Sequence, residues 1–281
     1  MLKVLQAGFF TTLQDLGRFG YRDKGVPVSG VMDAIAVTSI NQMLSNKEEA
    51  PVLEITMTGP KLEFTKETYI CLGGAAMSVT INDELVQNYK LYHIKIGDII
   101  SYGKLKKGFR GYLAIKGGFA SSNVLGSTSY YRSIKKTALV KNEDTILYNE
   151  CNFLEEKKKI LNVGSYIDET IIEVYKGPEY KQLTDKQLEV LFFKEFTVAK
   201  ENNRMAYQLE EKIMGHKISM LTSATLPGTV QFTPSGKLIV LMKDAQTTGG
   251  YPRILQLTEK SISILSQKRM GDNLSFKLVE M

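Results

Sequence analysis

Short apolar stretches broken by glycine, proline and asparagine run through most of the chain, a pattern that predicts strands. The first half offers them at 3–7, 52–58, 61–64, 68–72, 77–81, 93–96, 99–102, 111–115 and 145–147. The second half offers 171–174, 195–198, 229–232, 238–242, 254–257 and 274–278. Many short strands at regular spacing argue for barrels or sandwiches. Three segments carry the helical period instead. Asp33 stands where it would cap a helix reaching about residue 44, with Ala36, Ile40, Met43 and Leu44 on one apolar stripe. Thr184 to Gln187 spell a capping box ahead of Leu188, Leu191 and Phe192. A short third helix is expected at 260–267.

Between 152 and 165 the chain carries a charge run and few turn residues. A domain boundary is expected there, leaving an N-terminal β-rich domain at 1–160 and a C-terminal barrel at 161–281. Gly97-Asp98 and Gly271-Asp272 fall late in their respective halves, too little to establish a duplication.

Composition narrows the picture only slightly. A chain of 281 residues buries a substantial core, and 43% hydrophobic with 23% charged residues is ordinary for a globular protein. No apolar run approaches a transmembrane helix, and residues 1–6 carry no secretory signal, so no membrane is expected and the cytoplasm is the expected location. The net charge of +6 comes from scattered lysines. The run Lys157-Lys158-Lys159 follows Glu155-Glu156 and reads as a solvated linker. No basic stripe with interleaved aromatics is visible, so nucleic acid is not an expected partner. Cys71 and Cys151 form no CxxC, and Cys71 sits in an apolar context that suits a small core residue. His93 and His216 lack ligand spacing, so no metal site is expected.

The candidate chemistry lies in loops. Asp244 and the stretch Gln246-Thr247-Thr248-Gly249-Gly250-Tyr251-Pro252 follow the apolar run at 238–242. They read either as a tight polar turn or as a binding loop whose glycines let a ligand approach the backbone. A second cluster runs from Gln14, Asp15, Gly17 and Arg18 through Gly25 and Gly30 to Asp33. Asp15 and Arg18 would form a surface pair of little worth, or Arg18 would grip a carboxylate or phosphate with its planar fork. The loops at 116–122 and 125–129 are anion nests or plain polar connections, and Gly73-Gly74 shares that ambiguity. Arg204 binds an anion or a neighbouring acid. Met242-Lys243 matches the dipeptide that carries biotin, but its flanks do not, and covalent biotin is not expected. Phosphate-loop, nucleophile-elbow and zinc-protease signatures are absent.

Taken in order, QDLGRFG, GVPVSGVMD, Asn41, LEITMTGP, GYLAIKGG, LGSTS, NRMAYQL, GTVQFTPSGK, DAQTTGGYP and GDNLSF carry a resemblance. Over nearly its whole length the chain resembles the allophanate hydrolase subunit 2 family. Its members are also described as biotin-dependent carboxyltransferase-like proteins and as the C subunit of the bacterial 5-oxoprolinase. The resemblance implies a mainly β fold of two β-barrel domains with cyclophilin-like architecture and a few short helices. It implies a component of an ATP-dependent 5-oxoprolinase that opens the lactam of 5-oxo-L-proline to L-glutamate. The implied partners are a protein like the B subunit of that enzyme, with which this chain forms a complex, and a separate protein like its A subunit. ATP with magnesium is the implied cofactor of the assembled complex. The alternatives are a carboxyltransferase component that moves a carboxyl group from carboxybiotin to a urea-type amide, and a non-catalytic regulator binding a histidine-kinase inhibitor.

An amide is a poor electrophile, so opening a lactam asks for positioned donors and cations around developing negative charge. Arg18, Asp33, Arg204, Asp244 and Thr247 are the expected catalytic residues. Asp15, Gly73, Gly74, Ser127, Gln231, Thr248, Gly249, Gly250 and Tyr251 are the expected substrate contacts. The chain departs from the family pattern in two places. Lys135-Lys136-Thr137-Ala138-Leu139 and Asn142-Glu143-Asp144 stand where a glycine-rich stretch with Gly-Arg and Gly-Asp pairs is usual. Ala206 stands where Met-Gly usually follows the arginine of the second half.

Overall fold

The structure is a computed structural model that describes residues 1–149 and 165–280. Cys151, the lysine run at 157–159 and the expected boundary at 160 lie outside the described residues. The chain divides into two compact units, one of Met1–Arg18 with Ser29–Ile167 and one of Phe19–Val28 with Asp168–Met281. The mainly β, barrel-based class read from the sequence is the observed one. The second unit is a closed barrel and the first a half-barrel, with three short α-helices among the described residues.

In the first unit the strands are β1 (Leu2–Gln6), β2 (Phe10–Gln14), β3 (Val52–Thr56), β4 (Lys61–Phe64), β5 (Thr68–Ile81), β6 (Glu84–Leu85), β7 (Leu91–Ile94), β8 (Ile99–Ile115), β9 (Phe119–Ala120) and β10 (Thr145–Tyr148). They form a ten-stranded sheet in the order β2-β3-β8-β4-β1-β10-β9, with β5 paired to β6, β7 and β8. The sequence pattern suggests two short strands at 68–81 and two more at 99–115. Each pair is one continuous strand. Glycine usually marks a break, but Gly73 and Gly74 serve packing. A Cβ on Gly73 would fall 2.6 Å from Ile40 Cγ2, and one on Gly74 would fall 2.4 Å from Arg110 O. Register shifts between Gly74 and Val79 bend β5 against β8 without ending it.

The close approach at Gly73 seats α1 (Ala34–Met43) on the sheet. Asp33 caps that helix as expected, accepting from Ala36 N at 3.0 Å. Ala36, Val37, Ile40, Met43 and the following Leu44 are buried against Val52, Cys71, Tyr112 and Ala114. Each large apolar side chain so buried contributes roughly 1.5–3 kcal/mol. Cys71 is the core residue its context suggests, and burial pushes its thiol pKa up to about 12.

The second unit contains β11 (Ile171–Lys176), α2 (Asp185–Phe193), β12 (Phe196–Asn202), β13 (Ala206–Lys212), β14 (Ser223–Ala224), β15 (Thr229–Phe232), β16 (Lys237–Leu241), β17 (Thr248–Gly249), β18 (Arg253–Leu257), α3 (Glu259–Ser266) and β19 (Asn273–Leu278). The barrel closes in the order β11-β18-β15-β16-β13-β12-β19, which removes exposed sheet edges. Ile172, Val174, Phe196, Val198, Tyr207, Leu209, Val230, Phe232 and Val240 are wholly buried. The capping box of α2 forms in full between Thr184 and Gln187. β14 and β17 pair only with each other, as a two-stranded ribbon.

The departures from the family pattern have local explanations. Ala206 opens β13 opposite Leu241 and is not among the residues at positive φ, so a side chain fits there. Glu143 is different. It lies in the turn before β10 at φ +68°, a conformation that favours glycine, and its side chain is exposed. The turn is held by Val4 N to Asp144 O, Glu143 N to Val4 O and Lys141 N to Asp144 Oδ2. Glu143→Gly is therefore expected to stabilise the protein by up to about 1 kcal/mol, a rise in Tm of roughly 2–4 °C that a thermal melt would detect. A fall in Tm would mean that the glutamate side chain contributes more than its backbone strain costs.

Candidate functional site

Sequence reasoning treats Asp15–Arg18 and Ser127 as ligand-facing, and the first unit joins them to each other. Asp15 Oδ1 accepts from Gly17 N at 2.8 Å and from Ser127 Oγ and Ser129 Oγ at 2.6 Å each. Its Oδ2 accepts from Thr128 N at 2.6 Å and Thr128 Oγ1 at 3.0 Å. Arg18 is wholly buried and donates to Val124 O at 3.3 Å and to Ser129 O. The surface-pair alternative does not hold. The two side chains are buried, and together they fasten the LGSTS loop to the N-terminal loop. Lys135, part of the departure from the family pattern, is also buried and donates to Ser121 Oγ at 2.8 Å and to Ser122 O. Burial, with a further contribution from Arg18, lowers its pKa.

Asp33 belongs to a second buried network. Besides capping α1, it accepts from Tyr166 OH at 2.6 Å through Oδ2. Tyr166 is hydrogen-bonded to Tyr89, whose hydroxyl accepts from Gly74 N at 3.0 Å. Asp33 N donates to Tyr112 OH at 3.0 Å, and Tyr112 OH donates to Glu54 Oε2 at 2.9 Å. Glu54 also accepts from Met32 N at 2.8 Å and lies 3.9 Å from Arg110 Nε. Burial first, and then the Asp33 carboxylate, raises the Tyr166 pKa, and burial pushes Tyr89 up to about 12. Gly73 and Gly74 thus sit inside β5, within this packing.

In the second unit, Arg204 grips Asp244 with both arms of its fork, Nε to Oδ2 at 2.8 Å and Nη2 to Oδ1 at 3.0 Å. Both side chains are buried, and Asp244 N donates to Arg204 O at 2.8 Å. The turn before β13 and the loop after β16 are thereby clamped together. Of the two sequence alternatives for Arg204, the neighbouring acid is the one observed. Beyond the clamp the loop becomes the β17 ribbon. Thr247 O accepts from Thr225 N at 3.0 Å, Thr248 pairs with Ala224, and Gly249 with Ser223. Gln231 of β15 is buried beneath Gly249, and Gln246 Nε2 donates to Gln231 Oε1 at 3.4 Å. Tyr251 is exposed, and Gly250 has open space where a side chain would stand. Arg253 holds the ribbon, donating to Ala224 O at 2.6 Å while it pairs bidentately with Glu179. That hydrogen bonding lowers the Glu179 pKa.

Three candidates found no place in a site. Gly117 N donates to Asn46 Oδ1 and Gly118 N to Ile115 O, so the two glycine amides of the loop at 116–122 are used internally. Lys243 Nζ lies 3.4 Å from Glu259 Oε2, and Met242 is wholly buried. His93 pairs with Glu67 and His216 with Phe232 O. Among the described residues no three His, Cys, Asp or Glu side chains gather to hold a metal, and no helix is long and apolar enough to cross a membrane.

Among the described residues, the aspartates at the candidate positions are all engaged within their own units. Asp15, Asp33 and Asp244 each accept internal hydrogen bonds through both carboxylate oxygens. Residues that sequence reasoning missed are Glu54, Tyr89, Tyr112, Tyr166 and Arg22. Glu54 left a signal, a charged residue inside the apolar run LEITM. The others left none.

A chain with this half-barrel and closed barrel, and with polar loops clamped at their ends, has known relatives. Residues 24–278 match the family described as "Carboxyltransferase domain, subdomain A and B", and the chain belongs to that family. This is the family its motifs indicate. The chain is 30% identical over 288 residues to the C subunit of 5-oxoprolinase from Haemophilus influenzae, covering 100% of this chain and 92% of that protein. It is 40% identical over 130 residues to "Urea amidolyase" of Lachancea kluyveri, covering 46% of this chain and 7% of that one. The solved structure of TTHA0988 superposes with a TM-score of 0.89 at 24% identity, over 98% of this chain, a likeness of fold. This chain spans 55% of that one.

Proposed function

We propose that the chain is the C subunit of an ATP-dependent 5-oxoprolinase, which hydrolyses 5-oxo-L-proline to L-glutamate together with partners like the A and B subunits of that enzyme. The observation that carries this reading is end-to-end similarity to a 5-oxoprolinase C subunit, against less than half the chain for the urea amidolyase. The loop at Gln246–Tyr251 is the candidate substrate contact, since it joins an exposed glycine to a buried glutamine amide. Arg204 and Asp244 position that loop, and ATP with magnesium is held by residues of the partners. The carboxyltransferase reading has its own support in the 40% identity to urea amidolyase over 130 residues.

The test mixes the purified chain with its two partners and follows ADP release with and without 5-oxo-L-proline. The proposal expects substrate-dependent release that disappears when this chain is omitted. Release independent of the chain, or recovery of a biotinylated protein with it and no release at all, would favour the carboxyltransferase reading.

A further inference from the structure

Alternation along β15 puts Val230 and Phe232 on one face and Gln231 on the other. All three are buried, with Gln231 only 2% exposed. What covers Gln231 is β17, for a Cβ on Gly249 would lie 2.3 Å from Gln231 Nε2. Gln231 Oε1 is occupied by Gln246, but Nε2 is a buried donor with no hydrogen-bond partner among the described residues. Buried donors are ordinarily satisfied, and one that is not needs an explanation.

A second such donor is linked to the same ribbon through Thr225. Thr225 Cγ2 lies 3.3 Å from that Gly249 position, and Thr225 O accepts from Arg22 Nη2. Arg22 Nη1 is buried and has no partner among the described residues. Two other arginines of this unit are neutralised, Arg204 by Asp244 and Arg253 by Glu179, whereas Arg22 bonds a carbonyl. Burial lowers the pKa of the Arg22 guanidinium, the direction expected for a cation held without a counter-charge. Gly250, next along the chain from Gly249, has nothing within 4 Å of where a side chain would start.

The geometry points to a carboxylate-binding site in the second unit, in which Arg22 Nη1 and Gln231 Nε2 donate to the oxygens of a small carboxylic acid seated against Gly249–Gly250. A guanidinium and an amide N–H offer donors only, and the acceptor that suits both is an anionic oxygen pair. The assignment of that acid to 5-oxo-L-proline rests on the function proposed above, whereas the site itself does not.

The test is calorimetric titration of the full chain, and of the assembled complex, with 5-oxo-L-proline, with 2-pyrrolidinone (the same lactam without its carboxylate), and with acetate, succinate and L-glutamate. The site predicts binding of an acid and none of 2-pyrrolidinone. Arg22→Met should weaken that binding roughly 10- to 100-fold, and Arg22→Lys should recover part of it. Gly249→Ala displaces the flexible end of Gln231, so it should weaken binding with an unchanged circular dichroism spectrum and Tm. Equal binding of the two lactams, no binding of any acid, or binding indifferent to Arg22→Met and Gly249→Ala would overturn the site. Turnover of 5-oxo-L-proline with an unchanged KM in those variants would overturn it while leaving the proposed function intact. Arg22-dependent binding of another acid, with 5-oxo-L-proline ignored, would keep the site and remove the function.

Discussion

Asp15→Ala is expected to destabilise the first unit by about 3–5 kcal/mol. The carboxylate collects two backbone N–H groups and three hydroxyls, all within 3.0 Å, in a setting only 8% exposed. Hydrogen bonds to a charged group contribute roughly 1.5–3 kcal/mol each, but five on one carboxylate do not add. The alanine would leave those donors buried and without their acceptor. It would also loosen the Ser127–Ser129 loop, where Arg18 still donates to Ser129 O. Asp15→Asn keeps one acceptor oxygen and should fall between wild type and alanine. Urea unfolding monitored by fluorescence measures all three. A loss below about 1 kcal/mol for Asp15→Ala would show that water or rearranged hydroxyls replace the carboxylate.

Arg204→Ala is expected to cost about 3–5 kcal/mol in the second unit, because it strands Asp244 as a buried charge without its cation. The pair is bidentate and both partners are more than nine-tenths buried. The double variant Arg204→Met with Asp244→Leu should cost markedly less than the single one, since replacing both ions by apolar groups removes the stranded charge. The comparison separates stability from function. If the clamp only holds the fold, the double variant recovers stability and keeps activity. If the clamp positions the Gln246–Tyr251 loop for the ligand, the double variant recovers stability and remains impaired in KM.

How much of this is legible in the sequence differs by level. The helix at Asp33 and the capping box at Thr184 are local signals, written within four residues, and both are readable. β5 and β8 read as broken because Gly73-Gly74 and the polar run at 103–110 look like turns. A glycine forced by the approach of Ile40 is identical in sequence to a glycine at a bend, and only the packing distinguishes them. The strand at Ala206–Lys212 is hidden in a similar way, its alternation overshadowed by the charged residues near its end.

The candidate residues are mostly visible, but their roles depend on pairings at long range. Asp15 meets Ser127 across 112 residues, and Asp33 meets Tyr166 across 133. No periodicity encodes such contacts. Residues singled out as ligand-facing at Asp15, Arg18, Arg204 and Asp244 hold their loops in place. Gln231, named with the family motifs, carries an unfilled donor, and Gly249, already singled out in the polar loop, packs against it. Arg22 leaves no mark in the sequence because its loop is short and polar and its partner, Thr225, lies 203 residues away.

The most direct test of the central claim follows the product. Carbon-13-labelled 5-oxo-L-proline is incubated with ATP, magnesium and the two partner proteins, with and without this chain, and labelled L-glutamate is read by NMR. The account predicts glutamate only when all three proteins are present, with loss of most of the signal when Gly249→Ala replaces the wild-type chain. Equal glutamate formation without the chain, or none from a complex shown to be assembled, would contradict it.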